Sequence, residues 1–429
     1  MSSAPFPSAL RIFNFPRFVL SVRSLSRERI TKLAQATYFG RRRLMLQGYR
    51  IFDADAHGSI NPKMWEDLAE PYRARRPRPV TVHDESGLGN YTTAWLIEGS
   101  IEPHALGPGA QQANTPRNVL VEFGADVKRE HCSIGSMTLA DPQARLRDMD
   151  RMGFDFQMIF PSTLYAHMTA DPGFEAALFR AYNRYIARQC QAAPTRLKWS
   201  GLLPMRDQDQ AFQAIEEMQH LGARAAVVFG TAGERLLSDP GFAPTWDEFA
   251  RTKLPLCVHM GMSYPPLAQL GRSIYDGHVI GMSLPAQLAF VAIVGHCMLD
   301  RYPELKVAFL EFGAEWIFYM VSRMDHYLPL DRGAHPFGLS MPNSGQLPRS
   351  RIRDYVQSGR IFMAAEADDA MLQQLFELIG EDQVLFSSDF PHGEGRENAA
   401  LEILERKDLS EAQKRKLLYD NTVRLFGEA

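Results

Sequence analysis

The stretch that decides the fold is "VLFSSDFPHGEG", residues 384–395. Val384, Leu385 and Phe386 read as a buried strand, and the chain then delivers Asp389, Pro391 and His392 in quick succession. As an isolated loop it says little. As the last strand of a barrel, it puts Asp389 and His392 on a rim whose other members lie far upstream. The deciding question is how many similar strands precede it.

Seven do. They are "YRIFDADAH" (49–57), "FQMIFPS" (156–162), "LKWSGLLPM" (197–205), "ARAAVVFG" (223–230), "LPLCVHMG" (254–261), "LKVAFLEFG" (305–313) and "RIFMAAEA" (360–367). Between them run helical patterns at 142–153, 171–193, 207–222, 239–253, 283–303, 314–328 and 369–380. Pro142 and Gly153 mark the ends of one such helix, and Asp171 followed by proline caps another. Eight strands alternating with helices predict an α/β fold, the (β/α)8 TIM barrel. Parallel strands covered on both faces should be near-continuously apolar, and "AAVVF", "LPLCV" and "KVAFL" are. A doubly wound open sheet competes, but it normally carries a glycine-rich phosphate turn after an early strand. Residues 58–62, Gly-Ser-Ile-Asn-Pro, lack that spacing.

Two insertions interrupt the alternation. Residues 58–135, after the first strand, are rich in Pro, Gly, Asn and Thr, and a loop that long is usually functional. Together with 329–359 it reads as a lid or pocket wall over the barrel, with a peripheral subdomain as the alternative. Residues 1–48 form a basic N-terminal extension to the 49–429 barrel domain. Its only acid before Leu44 is Glu28, against Arg11, Arg17, Arg23, Arg27, Arg29, Lys32, Arg41, Arg42 and Arg43. That balance faintly suits a transit peptide. An accessory extension, an over-long reading frame ahead of Met45, or a partner-binding arm are the other readings.

Composition is ordinary for a soluble globular chain, 45% hydrophobic and 23% charged. A net charge of −3 points away from nucleic acid as a partner. The four cysteines form no CxxC pair, so a reducing compartment and a cytoplasmic location are expected. No uninterrupted apolar run reaches the roughly 18 residues of a membrane span. A small-molecule substrate is the expected partner.

In barrels the site is built at the C-terminal strand ends. Here those ends offer Asp53, Asp55 and His57 on the first strand, His259 on the fifth, Glu311 on the sixth, and Asp389 and His392 on the eighth. The second, third and fourth offer Ser162, Met205 and Gly230. Asp55 and His57 are two apart on a strand and face the same side, with Asp53 deeper. Carboxylates and imidazoles are standard ligands for zinc, and mixed N/O sets also suit manganese or iron. Each group alone has a plain reading: a hydrogen-bonded histidine, an aspartate capping the next helix, a glutamate paired with an arginine. Together they would repel one another without a cation, so a divalent metal is expected.

The ordered blocks "FDADAHGSINPKMWEDLAEPYRARRP", "RLRDMDRMGFDFQMIFPS", "AYNRYIARQCQAAPTRLKWSGLLPM", "HCMLDRYPELKVAFLEFGAEW" and "VLFSSDFPHGEG" resemble the amidohydrolase-related family. This is the branch of the metal-dependent amidohydrolases that includes aminocarboxymuconate-semialdehyde and dihydroxybenzoate decarboxylases. The resemblance covers residues 49–427. It implies a divalent metal, Zn2+ first with Mn2+ or Fe2+ as alternatives, held by Asp55, His57, His259 and Asp389. Two departures stand out: Glu311 replaces the decarboxylases' histidine, and Asn61-Pro62 replaces a Glu-Pro pair. No lysine ends the fourth strand, so one metal is the simpler expectation, with Glu311 left as a further ligand able to bridge a second. His296 is either an extra ligand or a helix residue.

These residues suggest metal-assisted hydrolysis, or nonoxidative decarboxylation, of a small organic acid, amide or lactone. Metal-bound water has its pKa lowered towards about 7. Asp389 and Glu311 are the catalytic carboxylates, Asp389 as metal ligand and general base, and His392 holds substrate or shuttles the proton. Trp316, Arg323 and Asn61 are substrate-binding candidates, although Arg323 equally suits a surface pair with Asp325. The alternatives are an iron-dependent oxygenase on the same barrel and a non-catalytic homologue serving as a partner subunit. The family makes a homodimer reasonable.

Overall fold

The computed structural model describes residues 46–82, 92–98, 100–102, 132–162, 164, 169–268, 270, 276–329, 347–392 and 395–428. Eight parallel strands form one sheet in chain order. They are β1 (Phe52–Gly58), β2 (Phe156–Pro161), β3 (Leu197–Leu202), β4 (Ala225–Val228), β5 (Leu256–His259), β6 (Val307–Leu310), β7 (Ile361–Ala365) and β8 (Val384–Phe386). Every residue of all eight is buried. Burial on both faces is why these segments read as apolar runs rather than alternating ones.

The barrel closes through the residues past β8. Asp389 N donates to Asp55 O at 3.1 Å, and His57 N donates to Phe390 O at 2.7 Å. β6 and β8 stop short of where the apolar pattern places them, and past each the chain turns left-handed, at Glu311 and Asp389, with φ of 66° and 58°. That conformation cannot continue an extended ladder.

Local chemistry sets the helices. In α1 (Pro142–Met152), Asp141 accepts from the Gln143 and Ala144 amides and left-handed Gly153 ends the helix. In α2 (Pro172–Cys190), Asp171 accepts from Phe174 N. In α3 (Gln208–Leu221), Asp207 and Gly222 play the same two parts. After α4 (Ala243–Thr252), the single helix expected over 283–303 is instead four consecutive pieces, Gly277–Met282, Leu284–Phe290, Val291–Gly295 and Met298–Arg301. Left-handed Cys297 stands between the third piece and the fourth, at the start of the latter. The 19 residues Gly277–Gly295 are apolar enough to cross a membrane, yet 56% of the stretch is buried inside the fold. Ala286, Ala289, Phe290, Ala292, Ile293 and Val294 pack into the core. His278, Ser283 and Gln287 hide the stretch from a search for an uninterrupted apolar run. Helices α5 (Glu315–Pro329) and α6 (Leu372–Ile379) follow β6 and β7.

The described part of the first insertion holds two short turns, Pro62–Asp67 and Tyr72–Arg75. It also holds a three-stranded antiparallel sheet, Arg78–Val82, Thr92–Ile97 and Ser100–Glu102, absent from the sequence reading. Arg75 donates to Asp171 at 2.7 Å and also to Glu98, which ties the insertion to the start of α2. The rest of the insertion, residues 330–346 of the second one, and the basic N-terminus through residue 45 lie outside the described residues. The compact barrel unit begins at Met45.

Candidate metal centre

β1 carries Asp55 and His57, β5 ends in His259, Glu311 follows β6, and Asp389 and His392 follow β8. The barrel brings all six together. His57 Nε2 lies 3.1 Å from Asp389 Oδ1, 3.4 Å from Asp55 Oδ1 and 3.9 Å from Glu311 Oε2. His259 Nε2 lies 3.3 Å from Asp55 Oδ1 and 3.5 Å from Glu311 Oε2. On the other side, His392 Nδ1 lies 3.3 Å from Glu311 Oε1 and 4.0 Å from Asp389 Oδ2. The His392 ring stacks on His57 with centroids 3.7 Å apart.

The hydrogen-bond inventory shows what the cluster is built for. His57 Nδ1 lies 3.3 Å from Pro161 O, and His259 Nδ1 lies 3.0 Å from Met260 O. Carbonyls only accept, so both Nδ1 atoms carry the proton. In the neutral rings Nε2 is then a lone pair, and it faces carboxylate oxygens that are lone pairs too. Burial, with the neighbouring His392 and His259, pushes His57 well below its ordinary range against the pull of Asp55, so a second proton is no remedy there. Burial also opposes charge on His259, but Asp55 and Glu311 outweigh it and hold that ring up to about 9. Asp55 Oδ2, fully buried, has no partner among the described residues. A divalent cation between these atoms satisfies all of them. Two ligand atoms at about 2.0–2.2 Å from one ion stand roughly 2.8–3.6 Å apart, and most of the separations here fall in that range.

A buried frame holds the ligands in place. Asp53 is fully buried and accepts from Ser388 N at 3.0 Å, from Ser388 Oγ and from Gln157 Nε2 at 2.9 Å. Burial still pushes its carboxyl up to about 7 against those bonds. Gln157 Oε1 accepts from Arg145 Nε at 2.8 Å. Arg145 Nη2 donates to His57 O at 3.0 Å and Phe390 O at 3.3 Å, and its guanidinium lies over the Phe390 ring. One fully buried arginine thus clamps the end of β1 to the turn after β8. Burial lowers it to about 10.

The sequence pattern places the six rim residues and puts Ser162 at the end of the second strand without a role, but it gives no sign of Arg145, Gln157 and Ser388. Ser162 Oγ lies 2.9 Å from His392 Nε2. It also passed over Glu366, just past β7, whose carboxyl is pushed up to about 7 by burial and then by Asp389. "FMAAEA" carried that signal, since a glutamate there ends a barrel strand.

The three residues expected to bind substrate make the following contacts. Asn61 caps the Pro62–Asp67 turn, accepting from Lys63 N and donating to Tyr185 Oη at 3.0 Å. Trp316 packs edge-on among Phe290, Phe309 and Phe312. Arg323 donates to Tyr327 Oη rather than pairing with Asp325, which accepts from Ile352 N and Arg353 N. His296 caps the end of a helix with Nδ1 2.6 Å from Ser238 Oγ, and among the described residues it belongs to neither metal-sized cluster.

An eight-stranded parallel barrel with imidazoles and carboxylates converging on one rim defines a barrel protein built around a divalent metal. The chain belongs to the amidohydrolase family, whose model matches residues 130–427. It is 26% identical over 299 residues to γ-resorcylate decarboxylase of a Polaromonas species, covering 66% of this chain and 86% of the relative. It is 23% identical over 292 residues to 2-amino-3-carboxymuconate-6-semialdehyde decarboxylase of Dictyostelium discoideum, covering 67% of this chain and 77% of the relative. Among solved structures, it is similar to 5-carboxyvanillate decarboxylase of Novosphingobium aromaticivorans, with bound manganese and a nitrobenzoic acid ligand. The TM-score is 0.61 and the identity 16%, covering 89% of this chain and 97% of that one.

Proposed function

We propose that the protein is a divalent-metal-dependent decarboxylase of small aromatic acids. The observation that carries this is the cluster in which the Nε2 atoms of His57 and His259 converge on oxygens of Asp55, Asp389 and Glu311. The relatives named as decarboxylases supply the reaction class. The carboxylate-rich ligand set favours Mn2+ over Zn2+, as does the manganese of the carboxyvanillate enzyme.

A cation held by Asp55, His57, His259 and the rim carboxylates supplies Lewis-acid binding for an anionic substrate. The reaction breaks the bond between the ring and its carboxylate and releases CO2. The bonding pair stays on the ring carbon, and a proton must be delivered there. We assign that step to Glu366, whose carboxyl sits past β7 and is pushed up to about 7 by burial and then by Asp389, so that part of the population holds a proton near neutral pH. No oxidant enters the balance, which separates this reading from an oxygenase. The four free cysteines fit a reducing compartment.

The test is incubation of the Mn2+-loaded protein with a panel of hydroxybenzoates in D2O. Release of CO2 with one deuterium on the ring of the product supports the reading. Cleavage of amides or lactones with no CO2 from any acid would overturn it.

A further inference from the structure

We propose that the rim holds two divalent cations, the second bound by His392 Nδ1, Glu311 Oε1 and Asp389 Oδ2. This deepens the metal-dependent reading above and rests on it. The carboxylates carry the argument. Glu311 turns Oε2 towards His259 at 3.5 Å and Oε1 towards His392 at 3.3 Å. Asp389 turns Oδ1 towards His57 at 3.1 Å and Oδ2 towards His392 at 4.0 Å. Each carboxylate offers one oxygen to each side, the arrangement of a bridge between two ions.

The imidazoles agree in spacing. His57 and His392 stack with centroids 3.7 Å apart and planes 21° from parallel. Near-parallel rings binding ions in their own planes place those ions about one ring separation apart. Paired catalytic metals stand about 3.5–4 Å apart. Ser162 completes the second site. Its Oγ lies 2.9 Å from His392 Nε2, so that with the ring proton on Nε2 the Nδ1 lone pair is aimed at the two carboxylates.

Charge points the same way. Asp55, Glu311 and Asp389 put three carboxylates in one buried cluster, so a single dication leaves a negative charge uncompensated. The His392 side chain is 21% exposed and that of His57 is 0% exposed. The second ion therefore sits on the solvent side, where an anionic substrate arrives, and exchanges more readily than the first.

The experiment is a Mn2+ titration of chelator-stripped protein, counting bound metal by mass spectrometry and reading the Mn2+ spin signal. Wild type is expected to bind two Mn2+ per chain and give an exchange-coupled signal. His392→Ala is expected to bind one, with an isolated six-line signal. Ser162→Ala keeps every direct ligand, and it should weaken only the second equivalent, by about 10–100-fold. Saturation of wild type at one Mn2+ with decarboxylase activity present overturns the second site and leaves the proposed function standing. Two equivalents in His392→Ala also overturn it. No bound Mn2+ in folded wild type overturns both readings.

Discussion

Asp55 is the most constrained residue of the rim. One of its oxygens faces both His57 and His259, and the other has no partner among the described residues. Asp55→Asn keeps the shape and removes the charge, so Mn2+ content after dialysis should fall at least about 10-fold while the circular dichroism spectrum stays native. Glu366→Gln separates proton delivery from metal binding. Turnover should fall about 10²–10⁴-fold with metal content unchanged, by steady-state kinetics alongside metal counting. Equal loss of metal would remove Glu366 from the acid role. At this scale the sequence showed the clustered rim residues plainly, because each sits at or just past a strand end and barrels place function there. It hid residues whose work is relational. Ser162 looks like any serine until the fold puts His392 beside it, and Arg145 looks like one charge in "RLRDMDRMG" until it is found beneath two strand ends.

The eight strands were legible as elements because burial on both faces keeps them mostly apolar between their polar site residues. Their ends were not, because the left-handed turns at Glu311 and Asp389 are set by the site rather than by local propensity. The three-stranded sheet of the insertion was missed for a different reason: its strands are short and add no periodicity of the barrel's kind. The segment after β8 yields a prediction. A Cβ on Gly395 would stand 2.4 Å from Asp389 O and 2.7 Å from Asp389 C, so the backbone carrying a ligand must move. Gly395→Ala should cost about 10²-fold in turnover while circular dichroism stays native. Wild-type turnover in that variant would mean the turn yields without disturbing Asp389. Arg145→Met tests the clamp beneath the same turn. It strips donors from His57 O and Gln157 Oε1, while Phe390 O keeps the His57 amide and Ser136 O keeps the Leu139 amide. Each buried acceptor left unpaired costs about 1–3 kcal/mol, so the urea midpoint should drop well below that of wild type.

For the whole molecule, the metal, the fold and pH are one linked system. In the stripped protein, Asp55 and Glu311 hold His259 up to about 9 against the opposition of burial. An unfolded histidine titrates near about 6.5. The folded value is the higher one, so this ring contributes stability that is fully present below about pH 6.5 and lost as pH rises towards about 9. His57 shifts the other way and acts as pH falls, below that window. Stripped protein should therefore lose about 2–3 kcal/mol between pH 6.5 and 9, seen as a falling urea midpoint. Bound metal takes the place of the proton on Nε2, so metal-loaded protein should hold its midpoint across the same range. Metal affinity should rise with pH, since the His259 proton must leave first. A stripped protein whose stability is flat from pH 6.5 to 9 would show that His259 is neutral without metal. The cluster would then be held by hydrogen bonds rather than by charge awaiting a cation.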